Sequence, residues 1–341
     1  MQDIFSFFPK SIELFAGAGG LALGIEKAGF ETIGLVEIDK DACSTLKNNR
    51  PNWNVLEGDI EEISKMNLTD IFDVKKDELD LLSGGFPCQT FSYAGNRMGL
   101  EDTRGTMFYH YATFLEKLKP KMFLAENVKG LVNHDDGKTL DVMLNVFEQI
   151  GYIAQYKVLN SWNYGVAQKR ERIFIIGIRN DLSEKVNFSF PEAHNYRPVL
   201  RDVLFDVPDS PGINYSEQKK QIMELVPQGG CWINLPEDIA KDYMKSTYFM
   251  GGGRRGIARR LSLDEPSLTL TTSPAMKQTE RCHPLETRPL KTREYARIQS
   301  FPDNWIFSGK TTSIYKQIGN AVPVLLAYEV ANEIKKALAV L

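Results

Sequence analysis

Short apolar stretches alternate with amphipathic ones along the first 180 residues, and this alternation constrains the fold more than any other feature. The apolar stretches with the length and composition of strands are 11–15, 32–38, 53–58, 79–83, 122–128, 153–160 and 172–178. The stretches of helical character between them are 20–29, 40–49, 105–118 and 138–150. Strands that alternate with helices are typical of a parallel sheet covered by helices on both faces. We therefore predict an α/β fold with a doubly wound, mostly parallel sheet.

The alternation ends near Tyr196, where proline and glycine become frequent, as in VPDSPGINYS and MGGGRRG. A stretch with apolar residues at helical spacing returns at 323–341, which indicates that the chain comes back to the first domain. We predict that 1–190 and 305–341 form the α/β domain. Residues 191–304 are predicted to form a second, smaller and irregular domain together with the hinge.

Composition limits the class of protein. The chain has 341 residues, of which 43% are hydrophobic, enough for the cores of two domains. No stretch approaches the roughly 18 apolar residues of a membrane span, and the first residues lack the basic region of a signal peptide. The four cysteines lie far apart and form no CxxC pair, which argues against a disulfide framework and a structural zinc. We expect a cytoplasmic protein with no metal and no membrane contact.

Positive charge is concentrated late in the chain. The formal net charge is −3, yet residues 251–300 carry ten Lys or Arg against five acids, a local charge of +5. Clustered positive charge on an acidic protein is typical of a surface that binds a polyanion. A solvated basic face is the alternative. Because arginine dominates the cluster and suits bidentate recognition, we favour a polyanion such as nucleic acid.

A glycine-rich segment, ELFAGAGGLALG at 13–24, follows the first predicted strand and opens the first predicted helix. Gly17, Gly19 and Ala22 fit the G-x-G-x-x-G/A pattern, in which glycines let a ligand approach the backbone at a helix N-terminus. The segment therefore predicts a nucleotide-like ligand.

Acidic residues at the next two strand ends extend this pattern. Glu37 ends the second strand, where its carboxylate can accept hydrogen bonds from ribose hydroxyls. Asp59 and Ile60 follow the third strand and offer a polar and an apolar side chain to an adenine ring. These residues predict a cofactor that contains adenosine, and both a nicotinamide dinucleotide and S-adenosylmethionine satisfy the pattern.

Cys88 follows the fourth predicted strand in the segment GGFPCQTFS, 84–92. Two glycines end that strand, and Pro87 fixes its own backbone and removes a donor. The cysteine is therefore expected on a stiffened loop at the carboxyl end of a strand, where open α/β sheets bind their ligands. Glu126 ends the next strand, so a thiol and a carboxyl can flank one pocket. A buried structural thiol and a satisfied strand-end carboxylate are the alternatives.

Gln168, Arg170 and Arg172 alternate along the stretch that leads into the last predicted strand. On one strand, alternate residues share a face. We therefore expect an amide and two guanidinium groups to point together toward a polyanion or a base.

Six sequence blocks occur in the order seen in cytosine carbon-5 DNA methyltransferases, and the chain resembles that family. The blocks are FAGAGG, GGFPCQ, AENV, QKRER, RPLKTREYARIQSFPD (288–303) and QIGNAVPV (317–324). The resemblance covers nearly the whole chain and leaves only about 195–287 without a motif. It implies a bacterial enzyme, of restriction–modification or orphan type, with a Rossmann-like methyltransferase fold. Its expected reaction is methyl transfer from S-adenosylmethionine to carbon 5 of a flipped-out cytosine in double-stranded DNA.

The resemblance also implies roles for individual residues. Cys88 would attack carbon 6 of the cytosine, Glu126 would bind N3 and the amino group, and Arg172 would bind the base carbonyl, while Arg170 would order the site. The positions that match the lining of the cofactor pocket are Phe15, Gly17, Gly19, Glu37, Asp59, Ile60, Pro87 and Asn320. The loop 89–104 would close over the base, with DNA contacts from Gln89, Ser92 and Arg104.

The second domain would recognise the target sequence. We expect base or phosphate contacts from Arg254, Arg255, Arg259 and Arg260, because arginine reads guanine bidentately. The Cys-Phe-Thr triplet of the tRNA-methylating branch of the family is absent, which favours DNA over the alternative, tRNA methylation. A DNA-binding protein without catalysis is a further alternative, which intact Cys88 disfavours. We expect a monomer that acts on double-stranded DNA, alongside a restriction endonuclease where one shares the site.

Overall fold

The computed structural model describes residues 8–87, 103, 106–250 and 253–341. The chain divides into two compact units. Unit 1 contains Met1–Asn160, Glu171–Ala193 and Val322–Leu341, and unit 2 contains Ser161–Arg170 and His194–Ala321. Residues 161–170 and 305–321, which we had predicted in the α/β domain, thus belong to unit 2.

Unit 1 is built on a seven-stranded sheet, counted over the described residues, with strand order β3-β2-β1-β4-β5-β8-β6. The strands are β1 (Lys10–Leu14), β2 (Glu31–Glu37), β3 (Val55–Glu57), β4 (Leu81–Gly84), β5 (Met122–Val128), β6 (Tyr152–Asn160) and β8 (Glu171–Arg179). The pairs from β3 to β5 are parallel, whereas β8 runs antiparallel to both β5 and β6. The predicted α/β class with a mostly parallel sheet is confirmed.

Helices cover this sheet. They are α1 (Gly20–Lys27), α2 (Lys40–Asn49), α3 (Ile60–Lys65), α4 (Leu68–Phe72), α5 (Met107–Leu118), α6 (Lys138–Gln149) and α12 (Val324–Leu338). One face of the sheet packs against an aromatic cluster that includes Phe108, Tyr111, Phe123 and Phe147. The buried hydroxyl of Tyr111 donates to the carbonyl of Leu124 at 3.0 Å, which satisfies its polar group inside the core.

The other side of unit 1 brings together two helices that are far apart in sequence, α1 and α12. They approach closely at Gly24, where an added Cβ atom would lie 2.4 Å from Cβ of Ala327 and 2.7 Å from the carbonyl oxygen of Val324. The predicted return of the chain at 323–341 is therefore observed as a helix that packs against the first one.

Unit 2 has less regular structure. Its helices are α7 (Leu200–Val203), α8 (Glu217–Glu224), α9 (Glu237–Met244), α10 (Thr292–Ile298) and α11 (Thr311–Asn320). Two short parallel strands, β7 (Gln168–Lys169) and β9 (Ser267–Leu268), pair with each other. A small core around Met223, Met244 and Ile257 holds α8 and α9 together.

Two further observations bear on the expectations from composition. Within the described ranges, no helix is long and apolar enough to cross a membrane. The cysteines in those ranges, Cys43, Cys231 and Cys282, are buried thiols without a disulfide.

The contact at Gly24 leads to a prediction for Gly24→Ala. Alanine favours a helix over glycine by about 1 kcal/mol, but its Cβ atom would overlap the backbone of α12. We expect a net loss of about 1–3 kcal/mol in the free energy of unfolding, measured by chemical denaturation. Lys27→Ala, at an exposed position of the same helix, should change this free energy by less than about 0.5 kcal/mol. Equal stability of the Gly24→Ala variant and the wild type would contradict the close packing.

Candidate active site

The loop between β1 and α1 has an unusual backbone. Phe15, Gly17 and Gly19 have φ angles of 57°, 53° and 83°, in the left-handed region that glycine tolerates best. The loop turns the chain so that Gly19 precedes the first residue of α1. Within the described part of the chain, an added Cβ atom at Gly17 would meet nothing within 4 Å. The loop thus forms a cradle at a helix N-terminus, as the glycine pattern predicts.

Glu37, at the end of β2, is tied to this loop. Its Oε2 accepts from the backbone N–H of Gly17 at 2.7 Å, and its Oε1 accepts from Ile38 and Asp39 at 2.9 and 2.8 Å. A carboxylate can accept about four hydrogen bonds, so capacity for a ligand hydroxyl is left. Ile38, whose role the sequence patterns did not predict, is 64% exposed beside it. The sequence pattern that indicates Ile38 is an apolar residue directly after the acidic residue that ends a strand.

Asp59 and Ile60 follow β3 at the start of α3. The exposed side chain of Asp59 accepts from the N–H of Glu61 at 2.9 Å and caps the helix, a role typical of aspartate. Ile60 is 5% exposed and packs in the core of unit 1. Its side chain therefore has little surface to offer to an adenine ring, contrary to the expectation from its position.

The end of β4 comes close to the end of β5. Asn127 donates from Nδ2 to the carbonyl of Phe86 at 2.8 Å. An added Cβ atom at Gly85 would lie 2.8 Å from Oε2 of Glu126, so the carboxylate occupies the space that a side chain would need. Pro87 is exposed at the end of this segment. Cys88, Gln89, Ser92 and Arg104 lie outside the described residues.

Glu126 and Arg172 form an ion pair with Oε1 and Nε 3.0 Å apart. Their side chains are 12% and 13% exposed. Because β8 runs antiparallel to β5, Arg172 stands opposite Val128, and its side chain is on the same face of the sheet as that of Glu126. Burial lowers the pKa of Arg172 below its usual value, and the charge of Glu126 opposes that shift. The pair combines a buried carboxylate with a guanidinium held against it.

Glu13 is a further buried acid, which the sequence patterns did not single out. It pairs with Leu35 and Ser83 in the sheet, and Ser83 pairs with Leu124. Since Glu37 and Glu126 lie two residues beyond Leu35 and Leu124, the three carboxyl groups share one face of the sheet.

Glu13 is 4% exposed, and its Oε2 has no hydrogen-bond partner among the residues that the structure describes. Burial raises the pKa of Glu13 well above its usual value, and the charges of Glu37 and then Glu126 raise it further. The signal that predicts such a group is an acidic residue inside an apolar strand.

Gln168, Arg170 and Arg172 do not share one strand, so the expectation that they point together is wrong. The chain leaves β7 at Lys169, and β8 begins at Glu171 in the other unit. Gln168 is fully buried, and its amide bonds to Gln299. The amide of Gln168 is therefore committed to a contact within unit 2.

Arg170 is 2% exposed. Its guanidinium donates to the carbonyl oxygens of Leu270 and Gly319 at 3.0 and 2.9 Å, which agrees with an ordering role. Asn320, the expected cofactor residue of unit 2, is exposed at the end of α11.

The arginines expected to read DNA divide into two groups. Arg260 is buried, and it donates to the carbonyl oxygens of Met223 and Val226 at 2.7 Å each. Its guanidinium also bonds to Thr287 Oγ1 at 2.9 Å. The expectation that Arg260 contacts DNA is therefore wrong, because its donors hold the end of α8 to a neighbouring loop.

The other three differ from Arg260. Arg254 and Arg255 are exposed, whereas Arg259 is only 16% exposed and pairs with Glu265 at 3.2 Å. The net charge of 251–300 thus overstates the charge available to a polyanion. Further arginines of this segment that bond to carboxylates or carbonyls of unit 2 are Arg281, Arg288, Arg293 and Arg297.

The family model for C-5 cytosine-specific DNA methylases matches residues 9–336. The chain belongs to this family. The match includes the cradle, the strand-end carboxylates and the Glu126–Arg172 pair, and it confirms the predicted DNA (cytosine-5-)-methyltransferase over the tRNA alternative.

Curated relatives of this methylase support the same assignment. It is 63% identical over 317 residues to the Type II methyltransferase M.Sau96I of Staphylococcus aureus, with 92% of this chain and 73% of the relative covered. It is 51% identical over 331 residues to M.Eco47II of Escherichia coli, with 95% and 78% covered.

Solved structures with the same fold are more distant in sequence. A DNA modification methyltransferase encoded within an E. coli prophage has a TM-score of 0.72 at 24% identity, with 97% of this methylase and 99% of that chain covered. The S. pombe Dnmt2 methyltransferase has a TM-score of 0.62 at 16% identity, with 97% and 99% covered. These likenesses concern the fold alone.

The raised pKa of Glu13 predicts a pH-dependent stability. At a pH below the usual pKa near 4.5, the carboxyl of Glu13 is protonated in both the folded and the unfolded chain, so its titration does not affect stability. As pH rises from there toward the raised pKa, the unfolded chain releases a proton that the folded chain keeps. Stability is therefore lost with rising pH. Glutamine does not titrate, so Glu13→Gln should not lose this stability. The Tm of the variant minus the Tm of the wild type should therefore be larger at pH 8 than at pH 5, by at least about 2 °C. Glu31→Gln, at the exposed start of β2, is the control, and its Tm difference should not grow with pH.

Proposed function

We propose that this methylase transfers a methyl group from S-adenosylmethionine to carbon 5 of a cytosine in double-stranded DNA, at one recognition sequence, within a restriction–modification system. The observation that carries the proposal is the buried Glu126–Arg172 pair on the same sheet face as Glu37, whose carboxylate accepts from Gly17 in the cradle. The Type II names of the relatives support the restriction–modification setting.

The cradle fits the cofactor. Among the described residues, Gly17 leaves space beside the helix N-terminus, Glu37 keeps acceptor capacity for ribose hydroxyls, and exposed Ile38 offers an apolar surface to the adenine. Pro87 and Asn320 are proposed as further contacts to the cofactor. When bound, S-adenosylmethionine supplies an electrophilic methyl group.

The chain's own groups would activate the base. The thiolate of Cys88 adds to carbon 6 of cytosine, which shifts the electrons of the C5–C6 double bond onto carbon 5 and makes it nucleophilic. Glu126 takes up a proton from solvent as the base binds, so that it donates to N3, where negative charge develops, and accepts from the amino group. Arg172 fixes Glu126 and binds the base carbonyl. Both side chains are largely withdrawn from water, so their interactions with the base are stronger than on the surface. Water then takes the proton from carbon 5, the electrons of that bond re-form the C5–C6 double bond, and the thiolate leaves carbon 6, which restores the aromatic ring and the enzyme.

A cytosine inside a duplex is out of reach, so the base must be flipped out of the stack. Gln89, Ser92 and Arg104 are proposed to contact the DNA. Unit 2 is proposed to recognise the sequence, with exposed Arg254 and Arg255 as its readers. We propose that the protein acts as a monomer in the cytoplasm.

Cys88→Ala should abolish methyl transfer and still bind its DNA site, because recognition draws on unit 2 and not on the thiol. Methyl transfer is measured with labelled cofactor on duplex DNA and on tRNA, and the target sequence is read by bisulfite sequencing of DNA from expressing cells. Duplex that contains 5-fluorocytosine should trap the wild-type protein covalently, since fluorine does not leave as the proton does. Near wild-type methylation by Cys88→Ala would refute the mechanism.

Glu126→Gln tests the second chemical group. The amide keeps the shape of the carboxyl group but has no acidic proton to share with N3, so it should slow single-turnover methylation more than it weakens DNA binding. We expect a loss of at least about 100-fold in rate. A variant that loses DNA affinity and keeps its rate would assign Glu126 to binding instead.

Arg254→Ala and Arg255→Ala should each weaken DNA binding, by about 1–3 kcal/mol where the arginine reads a base, and should relax the sequence preference. Binding is measured on the target duplex and on a duplex with one base pair changed. Arg260→Ala is the contrast, because it should lower Tm and leave the sequence preference intact. Unchanged affinity and preference in the double variant of Arg254 and Arg255 would exclude them as readers.

A further inference from the structure

The carboxyl end of α11 is held by two buried side chains. The last carbonyl groups of a helix lack partners within the helix. Here Arg170 donates to Gly319 and Asn320 at 2.9 and 3.4 Å. Gln299 donates from Nε2 to Ile318 and Ala321 at 2.7 and 3.1 Å. Two side chains thus bind four successive carbonyl oxygens, 318–321.

These two side chains are themselves fixed by a third. Gln168 donates from Nε2 to Oε1 of Gln299 at 2.8 Å, and its Oε1 accepts from the N–H of Leu270 at 2.8 Å. Arg170 donates to the carbonyl of the same Leu270 at 3.0 Å. Gln168 and Gln299 are fully buried, and Arg170 is nearly so. We call this set, Gln168, Arg170 and Gln299, the polar lock.

The polar lock has one workable arrangement. Each amide must place its oxygen toward a donor and its nitrogen toward an acceptor, and a flip of either amide would bring oxygen against oxygen. The turn also packs closely against the backbone at Thr271, since an added Cβ atom at Gly319 would lie 2.1 Å from the carbonyl oxygen of Thr271. Asn320, next to this fixed point, keeps an exposed side chain.

We propose that Gln168 and Gln299 are positioning residues for the cofactor. They hold the 318–321 turn, so that the side chain of Asn320 keeps one orientation, and in this way they raise the affinity for the cofactor. This inference rests on the proposed function, in which Asn320 binds S-adenosylmethionine. Neither glutamine touches the reacting atoms. Their effect is confined to cofactor affinity, and the chemistry of Cys88 and Glu126 does not depend on them.

The test uses Gln299→Met in the full-length protein, because methionine has a similar length and no hydrogen-bonding amide. We expect the Kd for S-adenosylmethionine, measured by calorimetry without DNA, to rise about tenfold, since loosening the turn gives Asn320 many orientations. The single-turnover rate at saturating cofactor should stay within about twofold of the wild type. Gln168→Met should also raise this Kd, and it replaces Gln299→Met in the test if that variant does not fold.

The chain offers a matched control in Gln317→Met. Gln317 is also buried on α11, but its Nε2 bonds to the carbonyl of Ser308 and to Ser313, away from the turn. Both variants should lower Tm, and only Gln299→Met should weaken cofactor binding. Equal weakening in both would mean a general structural effect and would overturn the proposal.

A double variant tests whether the effect passes through Asn320. If it does, Gln299→Met should add little to the Kd of Asn320→Ala, because the side chain that it positions is already gone. Additive losses, or normal affinity of Gln299→Met, would overturn the inference. Absence of cofactor binding by the wild type would instead refute the proposed function.

Discussion

The ion pair between Glu126 and Arg172 is the interaction on which the candidate active site depends. Each charge costs free energy to withdraw from water, and only their mutual attraction and good geometry offset that cost. The pair requires β8 to run antiparallel beside β5, because this register brings Arg172 to the same face as Glu126. It also requires Gly85, since the carboxylate fills the space of a side chain there. The antiparallel strand and the glycine are therefore parts of the site and not details of the fold.

Much of unit 1 could be predicted because periodicity and composition act over short distances. The apolar run at 122–128 coincides with β5 (Met122–Val128), and Glu37 and Glu126 were correctly expected at strand ends. Alternation of strands and helices predicts the sheet because few other arrangements bury such segments. In unit 2, the polar stretch 267–272 forms only the two-residue strand β9 (Ser267–Leu268). Short polar segments carry little periodic signal, so their structure depends on partners elsewhere in the chain.

The roles of charged residues were harder to predict, because a sequence shows residue type and spacing but not the partner across the fold. Arg254 and Arg260 have similar neighbours, yet the first is exposed and the second binds carbonyls more than 20 residues away. Gln168 alternates with Arg170, which suggested one strand, while its partner Gln299 lies 131 residues later. For Glu13, its place inside an apolar strand indicates a buried carboxyl, but the sequence does not show that the carboxylates of Glu37 and Glu126 raise its pKa further.

The packing of α1 against α12 has a consequence for the order in which the chain matures. The two helices meet across about 300 residues of intervening chain, and ribosomes add roughly 5–20 residues per second. Helix α1 therefore spends many seconds on the ribosome with its apolar surface uncovered, while all of unit 2 is made. The first strand and the cradle are synthesised early, but α12 can pack on α1 only after residues 324–338 have left the ribosome. Nascent chains of this protein thus present an exposed apolar helix to chaperones until synthesis has passed the last helix.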